Sequence, residues 1–500
     1  MFGMVFNAFS VLLMPINLLA VAAGMVSGII VGALPGLTAT MAVALLVPVT
    51  FSINPITSLA MLGGVYCGGI YGGSISSILL ATPGTPAAAA TAIDGHPMAQ
   101  KGEAGQALGI ATISSFFGGI TSAVALLFIS TWLVQFALKF GPSEYFFLAV
   151  LGLTTIVTLS TDSLLKGLLS GVFGLLIATV GMDPISAFPR FTFGNVNLLS
   201  GIPFMPAMIG LFSVSQVLKL IRKGGTISNS TDKVKIGRVM PNFKEFKRLL
   251  PTILKGSGMG TVIGILPGAG STIASFISYN EAKRSGKKTD IFGEGEPKGV
   301  AATESANNGV TGGSLIPLLT LGIPGNSVAA VLLGGLMIQG LIPGPDLFTL
   351  YGDITYAFIV SLFISNIFML VIGLAGAKYF ARVTNVSNKI LVPIILVLSV
   401  IGSFSIQNSI FDVWLMFGFG LLGFLFNFLG FSSSPIVLAL ILGPIAEEGF
   451  TRSMLLSGGE WGIFFSNPIS IILISLSVIA LIPPIIRYLK DRKKISEKNN

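Results

Sequence analysis

Residues 32–40 read GALPGLTAT, and residues 264–272 read GILPGAGST. Proline removes a backbone hydrogen bond from a helix and the glycine beside it lets the chain change direction, so each Leu-Pro-Gly predicts a helix break inside an apolar run. Within hydrocarbon such a break is tolerated only where protein or a water-filled cavity satisfies the freed backbone groups. The meaning of the two breaks therefore depends on whether the chain around them lies in a membrane.

Composition says that it does. The 500 residues are 52% hydrophobic and only 10% charged, with a mean hydropathy of +0.88. An ordinary soluble domain carries about 25% charged residues. From Met1 through Ile93 there is no Asp, Glu, Lys, Arg or His, and Asp94 is the first. Further uncharged tracts cover 305–345, 354–377, 390–411, 413–446 and 461–486, each long enough for one or more spans of about 20 residues. The expectation is an all-α polytopic membrane protein with roughly 10 to 12 transmembrane helices, some broken or re-entrant. The N-terminal residues lack the basic region and cleavage site of a signal peptide, so they are expected to remain as the first membrane segment.

Several function classes drop out. A lone Cys67 excludes an internal disulfide, and a lone His96 argues against a histidine-based metal site. No G-x-x-x-x-G-K-[ST] loop occurs, so the chain has no Walker A motif of its own. With one histidine and no credible pair of intramembrane aspartates, no hydrolytic or redox constellation is available, and the chain is not expected to be an enzyme or to hold a cofactor.

The charges that exist form islands. Ten Lys or Arg lie between Lys219 and Lys255 against Asp232 and Glu245, and the tail RYLKDRKKISEKNN (487–500) is also basic. By the positive-inside rule the central loop and the C-terminus are cytoplasmic, and the net charge of +9 is a signal of topology rather than of nucleic-acid binding. Within the loop, NFKEFKRLLPTILKG (242–256) reads either as a short amphipathic helix on the membrane surface or as a solvated linker with a local helix.

Around this loop the chain echoes itself. Gly28, Gly32, Leu34, Pro35, Gly36 and Thr40 match Gly260, Gly264, Leu266, Pro267, Gly268 and Thr272 at a constant offset, 28 to 260. A second pair follows in the same order: Gly72-Gly73-Ser74 with Gly312-Gly313-Ser314, and Pro83-Gly84 with Pro324-Gly325. Two ordered motifs at nearly constant spacing predict an internal duplication. The expected division is a first repeat at 1–218, the basic loop at 219–255, a second repeat at 256–486 and the tail at 487–500. Glu281, Lys283, Arg284, Lys287 and Lys288 follow the second Leu-Pro-Gly, while PVTFSINPIT after the first is uncharged, which fits copies inverted across the membrane.

A helix restarting near Thr38 or Thr40 would present free N–H groups, a positive dipole end and hydroxyls, which together favour an anion. Pro267, Gly268, Gly270, Ser271 and Thr272 offer the same donors. The segments 66–91 and 304–330 each run through glycines to a Pro-Gly tip, adding Gly73, Ser74, Pro83, Gly84 and Thr85 and, in the second copy, Gly313, Ser314, Pro324, Gly325 and Asn326. The competing reading is a packing kink with small interhelical contacts. Glu304, with Asn307 and Asn308 on the same helix side, is a candidate for a coupling Na⁺ or proton. The plainer reading places Glu304 at the membrane surface near a helix start, and Asp94, His96, Lys101 and Glu103 in an extramembrane turn.

Long composite motifs then point to a family. GALPGLTATMAVALLVPVTF, YCGGIYGGSISSILLATPGTPAAAATAIDGHPMAQKGEAGQALG, GILPGAGSTIASFISYNEAKR, ESANNGVTGGSLIPLLTLGIPGNSVAAVLLGGLMIQG and LIPGPDLF resemble the large membrane subunit of the tripartite tricarboxylate transporter family, over about residues 15–485. The resemblance implies an ion-driven secondary transporter for citrate-like tricarboxylates or related dicarboxylates. It also implies two partners, a small four-span membrane subunit (TctB-type) and an extracytoplasmic solute-binding protein (TctC-type). The family pattern is kept at Pro35-Gly36, Gly72-Gly73-Ser74, Pro83-Gly84-Thr85, Pro267-Gly268 and 304–314. An anion channel or exporter would use the same broken-helix lining.

Overall fold

The structure is a computed structural model that describes residues 2–159, 164–183, 185–223, 237–268, 270–383 and 386–499. Residues 224–236 of the expected basic loop lie outside the described residues, as does Asn500 of the tail.

The chain is helical nearly throughout. The first stretch folds as α1 (Phe2–Leu12), α2 (Pro15–Ala33), α3 (Ala39–Leu46), α4 (Pro55–Leu80), α5 (Ala88–Gln100) and α6 (Ala104–Ala137). Next come α7 (Pro142–Leu159), α8 (Leu164–Ala178), α9 (Phe204–Ile209) and α10 (Ser215–Lys223). A single π turn over Gly210–Val214 joins the last two. After the loop follow α11 (Phe243–Ile265), α12 (Gly270–Arg284), α13 (Pro297–Leu321), α14 (Ser327–Ile338), α15 (Asp346–Thr349), α16 (Gly352–Val383) and α17 (Asn388–Gln407). The chain ends with α18 (Ile410–Phe428), α19 (Ser434–Leu456) and α20 (Pro468–Asn499). A two-residue antiparallel pair, Gly181–Met182 with Pro189–Arg190, is the strand content among the described residues.

Local chemistry sets the boundaries. Pro15, Pro55 and Pro297 stand in the first turn, where the missing N–H costs nothing. Thr38, Asn54, Asn242 and Asn326 cap α3, α4, α11 and α14 by accepting a backbone N–H.

Among the described residues seven helical segments are long and apolar enough to cross a membrane: α2, α6, α9–α10, α16, α17, α18 and α19. Five further apolar helical segments have 10–17 residues. The all-α polytopic membrane protein expected from composition is what the chain forms. Two of the longest helices, α4 and α13, are absent from the seven because Gly, Ser, Thr and Asn dilute their hydropathy. Both are enclosed by protein, with Gly299–Thr320 buried without a break, so the polar dilution meets neighbouring helices.

The chain forms two compact units, 1–134 with 219–406 and 135–218 with 407–500. Each draws one segment from before the basic loop and one from after it. In the second unit, α7 and α8 pack on α19, and Arg190 pairs with Asp183 at 3.3 Å and with Glu447. All the sequence-selected candidate residues lie in the first unit.

The stretch 242–256 is helical, as both of its expected forms require. It is the start of α11, which runs unbroken through Pro251 to Ile265, since only the residues beyond 242 carry the Asn cap and a sustained helical pattern. Pro251, in the third turn, leaves the Lys247 carbonyl without its usual helical N–H partner.

Candidate functional site

Glycine rows build the frame of the site. On α2, Gly24, Gly28 and Gly32 face α4; on α4, Gly64, Gly68 and Gly72 face α2. A methyl at Gly28 would come within 2.5 Å of the Val65 carbonyl oxygen, and one at Gly72 within 2.6 Å of that of Ile29. Backbones meet directly at this spacing, the small-xxx-small geometry of membrane helix pairs. The pair α11 and α13 repeats it: Gly256, Gly260 and Gly264 face α13, and methyls at Gly309 and Gly313 would fall 2.8 Å from Ser257 O and 2.5 Å from Thr261 O. Gly313, selected as a site candidate, thus sits in a helix contact.

Both Leu-Pro-Gly motifs break their helices in the same way. Leu34 ends α2 at φ −80° and ψ 120°, and Leu266 ends α11 at φ −76° and ψ 113°. Gly36 and Gly268 follow at φ 88° and 86°, a left-handed conformation that glycine adopts without a Cβ penalty. Helices then restart at Ala39 and Gly270. Thr38 Oγ1 accepts from Met41 N–H at 3.3 Å, so one N–H expected to be free is capped. Thr40 is buried within α3, while Ser271 and Thr272 are half-buried in the first turn of α12.

Each Pro-Gly tip returns to the helix end that precedes its Leu-Pro-Gly. A Cβ on Gly84 would meet Gly32 O and Ser76 Oγ; one on Gly325 would lie 2.8 Å from Gly264 O and 2.7 Å from Ser314 Cα. Each tip joins a long limb to a short one, α4 to α5 and α13 to α14, a hairpin of unequal helices. Ser74 and Ser314 both donate to the carbonyl three residues back, Tyr71 O at 2.7 Å and Thr311 O at 3.1 Å.

The second tip is tied down more fully. Gly268 N–H donates to Gly325 O at 3.0 Å, and Gly325 N–H to Ser314 O at 3.3 Å. Asn326 Oδ1 accepts from Ala329 N–H at 2.8 Å while its Nδ2 donates to Tyr66 Oη at 2.8 Å. Because the Ser314 proton is spent on Thr311, Tyr66 donates to Ser314 Oγ, also at 2.8 Å. Tyr66, on α4, therefore joins the first segment of the chain to Ser314 and Asn326 of the second. At the first tip Thr85, which matches Asn326 in position, keeps a buried Oγ1 without a hydrogen-bond partner.

Glu304 corrects an expectation. It is fully buried in protein in the second turn of α13 rather than exposed at a helix start, because α13 starts at Pro297 and is enclosed from Gly299 onward. Thr91 Oγ1 on α5 donates to Oε1 at 2.5 Å, and Ser115 Oγ on α6 donates to Oε2 at 3.1 Å. Asn308 Nδ2 donates to Ser115 Oγ at 2.8 Å and to Glu304 O at 3.3 Å. Hydrogen bonds to a charged group contribute about 1.5–3 kcal/mol each, against several kcal/mol for burying an unpaired ion. Two hydroxyls therefore offset only part of the cost of the carboxylate.

Asp94 corrects another. It is buried in α5 rather than exposed in a turn, and its Oδ1 accepts from Gly293, Gly295 and Glu296 N–H at 2.8, 2.9 and 2.8 Å. It thereby anchors the loop that leads into α13. Outside the spans, a cavity of about 300 Å³ beside Arg248, Lys255 and Lys298 adjoins a charged cluster. There Asp290 meets Lys298 at 2.5 Å and Arg248 at 2.8 Å. Burial disfavours the Asp290 charge, yet Lys298, the Lys287 N–H and Arg248 hold its carboxyl below the ordinary aspartate range.

Tyr66, Thr91 and Ser115 were not selected from sequence. Tyr66 lies inside the quoted YCGGIYGGS motif, and a phenol amid glycines was its one available signal. Thr91 and Ser115 come from other helices and carry none.

A polytopic helical membrane protein in which α2 and α11 end at two matching Leu-Pro-Gly breaks is the class that this fold defines. The chain belongs to the tripartite tricarboxylate transporter TctA family, whose model matches residues 18–438, and so it is a transporter component. It is 39% identical over 496 residues, 98% of each chain, to the "Uncharacterized 52.8 kDa protein in TAR-I ttuC' 3'region" of Agrobacterium vitis. It is also 35% identical over 234 residues, 47% of this chain and 97% of the other, to the "Uncharacterized protein in TAR-II ttuC' 3'region" of the same organism. No solved structure matches the chain.

Proposed function

We propose that this chain is the large membrane subunit of an ion-gradient-driven symporter that takes up citrate-like tricarboxylates or related dicarboxylates across the bacterial cytoplasmic membrane. An extracytoplasmic solute-binding protein of the TctC type delivers the substrate, and a small four-span subunit of the TctB type completes the membrane complex. The central loop and C-terminus face the cytoplasm. Two inverted repeats enclose the substrate near the bilayer midplane and expose it alternately to either side. Pro35, Gly36, Thr38, Thr40, Gly73, Ser74, Pro83, Gly84 and Thr85 contribute from one repeat. Pro267, Gly268, Gly270, Ser271, Thr272, Gly313, Ser314, Pro324, Gly325 and Asn326 contribute from the other. Glu304, Asn307 and Asn308 take the coupling ion.

The observation that carries this reading, beside family membership, is the matched geometry of the two breaks. Gly36 and Gly268 share one left-handed conformation, and each Pro-Gly tip docks on the helix end before its own break. Anions suit such ends because backbone N–H groups and helix dipoles converge there without a buried cation. The test is reconstitution into liposomes with both partner proteins and labelled citrate, tartrate or simple dicarboxylates under imposed Na⁺ or proton gradients. Saturable accumulation against a concentration difference, dependent on the binding protein, is expected. Uptake that only equilibrates, or that ignores the binding protein, would reject the proposal in favour of a channel.

A further inference from the structure

We infer that Glu304, Asn307, Asn308, Thr91 and Ser115 form a binding site for one Na⁺ ion, a deepening that rests on the coupling role proposed above. The argument starts from unpaired oxygens. Asn308 commits its Nδ2 to Ser115 Oγ and Glu304 O, which leaves Oδ1 as a buried acceptor without a partner. Asn307, fully buried one residue earlier, turns its Nδ2 toward the Glu304 carboxylate and keeps its Oδ1 as a second buried acceptor without a partner. Buried polar atoms in a folded protein are nearly always satisfied, and an ion is one of the few ways to satisfy several acceptors at once.

The ligand set decides which ion. Carboxylate, amide and hydroxyl oxygens suit a hard cation. A proton on Glu304 would supply a single donor and could answer one of the two amide oxygens only. Charge sets the valence: Glu304 is one carboxylate, no Lys or Arg forms a salt bridge with it among the described residues, and no group of three or more His, Cys, Asp or Glu surrounds it there. A monovalent cation balances that charge, whereas a divalent one would leave a net charge in an enclosed apolar core. Thr91 and Ser115 already donate to the carboxylate at 2.5 and 3.1 Å, so few oxygens are left for an ion, and the K⁺ arm of the experiment below separates the two monovalent cations.

The position also gives the ion a physical route to the substrate. Ser314 lies ten residues further along the same helix, about 15 Å at 1.5 Å per residue. Between them Ser122 on α6 accepts from Gly312 N–H at 3.1 Å and lies 3.5 Å from Asn308 O. An ion that draws Asn307 and Asn308 together would stiffen the turn of α13 that leads to Ser314 and, through it, to Tyr66 and Asn326.

The experiment is thermal unfolding of the purified full chain in lipid nanodiscs, titrated with NaCl against KCl and N-methylglucamine chloride at constant ionic strength, at pH 6 and pH 8. A saturable rise in midpoint with Na⁺ alone, at both pH values, is expected. Asn307→Ala removes an amide oxygen that accepts no hydrogen bond, and a control Asn307→Asp, which keeps an oxygen there, separates ion binding from folding; Asn307→Ala should weaken the apparent Na⁺ affinity at least tenfold, and Glu304→Gln should abolish the response. Equal stabilisation by K⁺, a response that needs no Na⁺ and follows pH, or an unchanged affinity in Asn307→Ala would each overturn the inference. Carboxylate uptake driven by a proton gradient without Na⁺ would overturn it while leaving the transport reading intact. Na⁺ binding without carboxylate uptake would do the reverse.

Discussion

Replacing Tyr66 by Phe deletes one oxygen and keeps the ring, so its consequences can be worked out atom by atom. The hydroxyl donates to Ser314 Oγ and accepts from Asn326 Nδ2, both at 2.8 Å, and all three residues are buried. Ser314 keeps its bond to Thr311 O, and Asn326 Oδ1 still caps α14 at Ala329. What remains is one buried N–H without an acceptor, a loss of about 1–3 kcal/mol. Asn326→Ala removes the same bond from the other side and the cap as well, adding about 0.5–2 kcal/mol. The two losses share one hydrogen bond, so the double variant should be less destabilised than the sum by about 0.5–1.5 kcal/mol. Reversible unfolding by SDS titration in mixed micelles measures all three variants. Additivity within about 0.3 kcal/mol would mean that the bond contributes nothing, and Tyr66 would lose its place as the tie between α4 and the second Pro-Gly tip.

Two shorter predictions use other parts of the structure. Gly28→Ala forces a methyl against the Val65 carbonyl oxygen at 2.5 Å with only backbone to yield, so it should cost about 1–3 kcal/mol; a Gly3→Ala control, with nothing within 4 Å, should cost far less. The Asp290 carboxyl titrates lower in the fold than in the unfolded chain, near 3.9, so its contribution is present above that pH and is lost as pH falls through the lower folded value. Asp290→Asn should therefore destabilise the protein by about 1.5–3 kcal/mol at pH 7 and by progressively less below about pH 4; a deficit that stays constant down to pH 3 would contradict this.

The parts of this molecule that were legible in sequence are those encoded in one short stretch. Charge-free tracts reported the membrane, Leu-Pro-Gly reported helix breaks, and the paired Pro-Gly tips reported hairpins, because proline and glycine act on their own backbone. The misread residues are those whose surroundings come from elsewhere. Asp94 looks like a loop residue beside Gly95, His96 and Pro97, yet it is buried because the 293–296 loop presents three N–H groups to it. Glu304 follows a charged, surface-like stretch, and the Thr91 and Ser115 hydroxyls that bond its carboxylate come from two other helices. The glycine rows were visible as composition but not as contacts, since a row has meaning only once its partner helix is known. Even matched positions diverge: left-handed Gly322 ends α13, whereas Ala81 ends α4 at φ 51°, a conformation that costs an L-residue about 1–2 kcal/mol.

That divergence marks the first tip as the place to separate binding from architecture. Asn326 at the second tip is fully engaged, with its cap, its tyrosine and the neighbouring Gly268-to-Gly325 bond. Thr85 at the first tip keeps the same position against Gly73, but its Oγ1 is buried and bonded to nothing. Replacing it with Val keeps the branched shape and removes only the hydroxyl. Because no protein hydrogen bond is lost, stability should change by less than about 1 kcal/mol and is as apt to rise as to fall. If Thr85 serves the substrate, the same change removes a donor that a carboxylate would use, and apparent affinity should fall by about tenfold, the equivalent of about 1.4 kcal/mol. Unfolding and uptake measured on one preparation thus answer different questions. Loss of uptake with stability retained assigns the hydroxyl to the substrate; wild-type values in both would remove Thr85 from the site and leave Gly84 and Pro83 as elements of the turn alone.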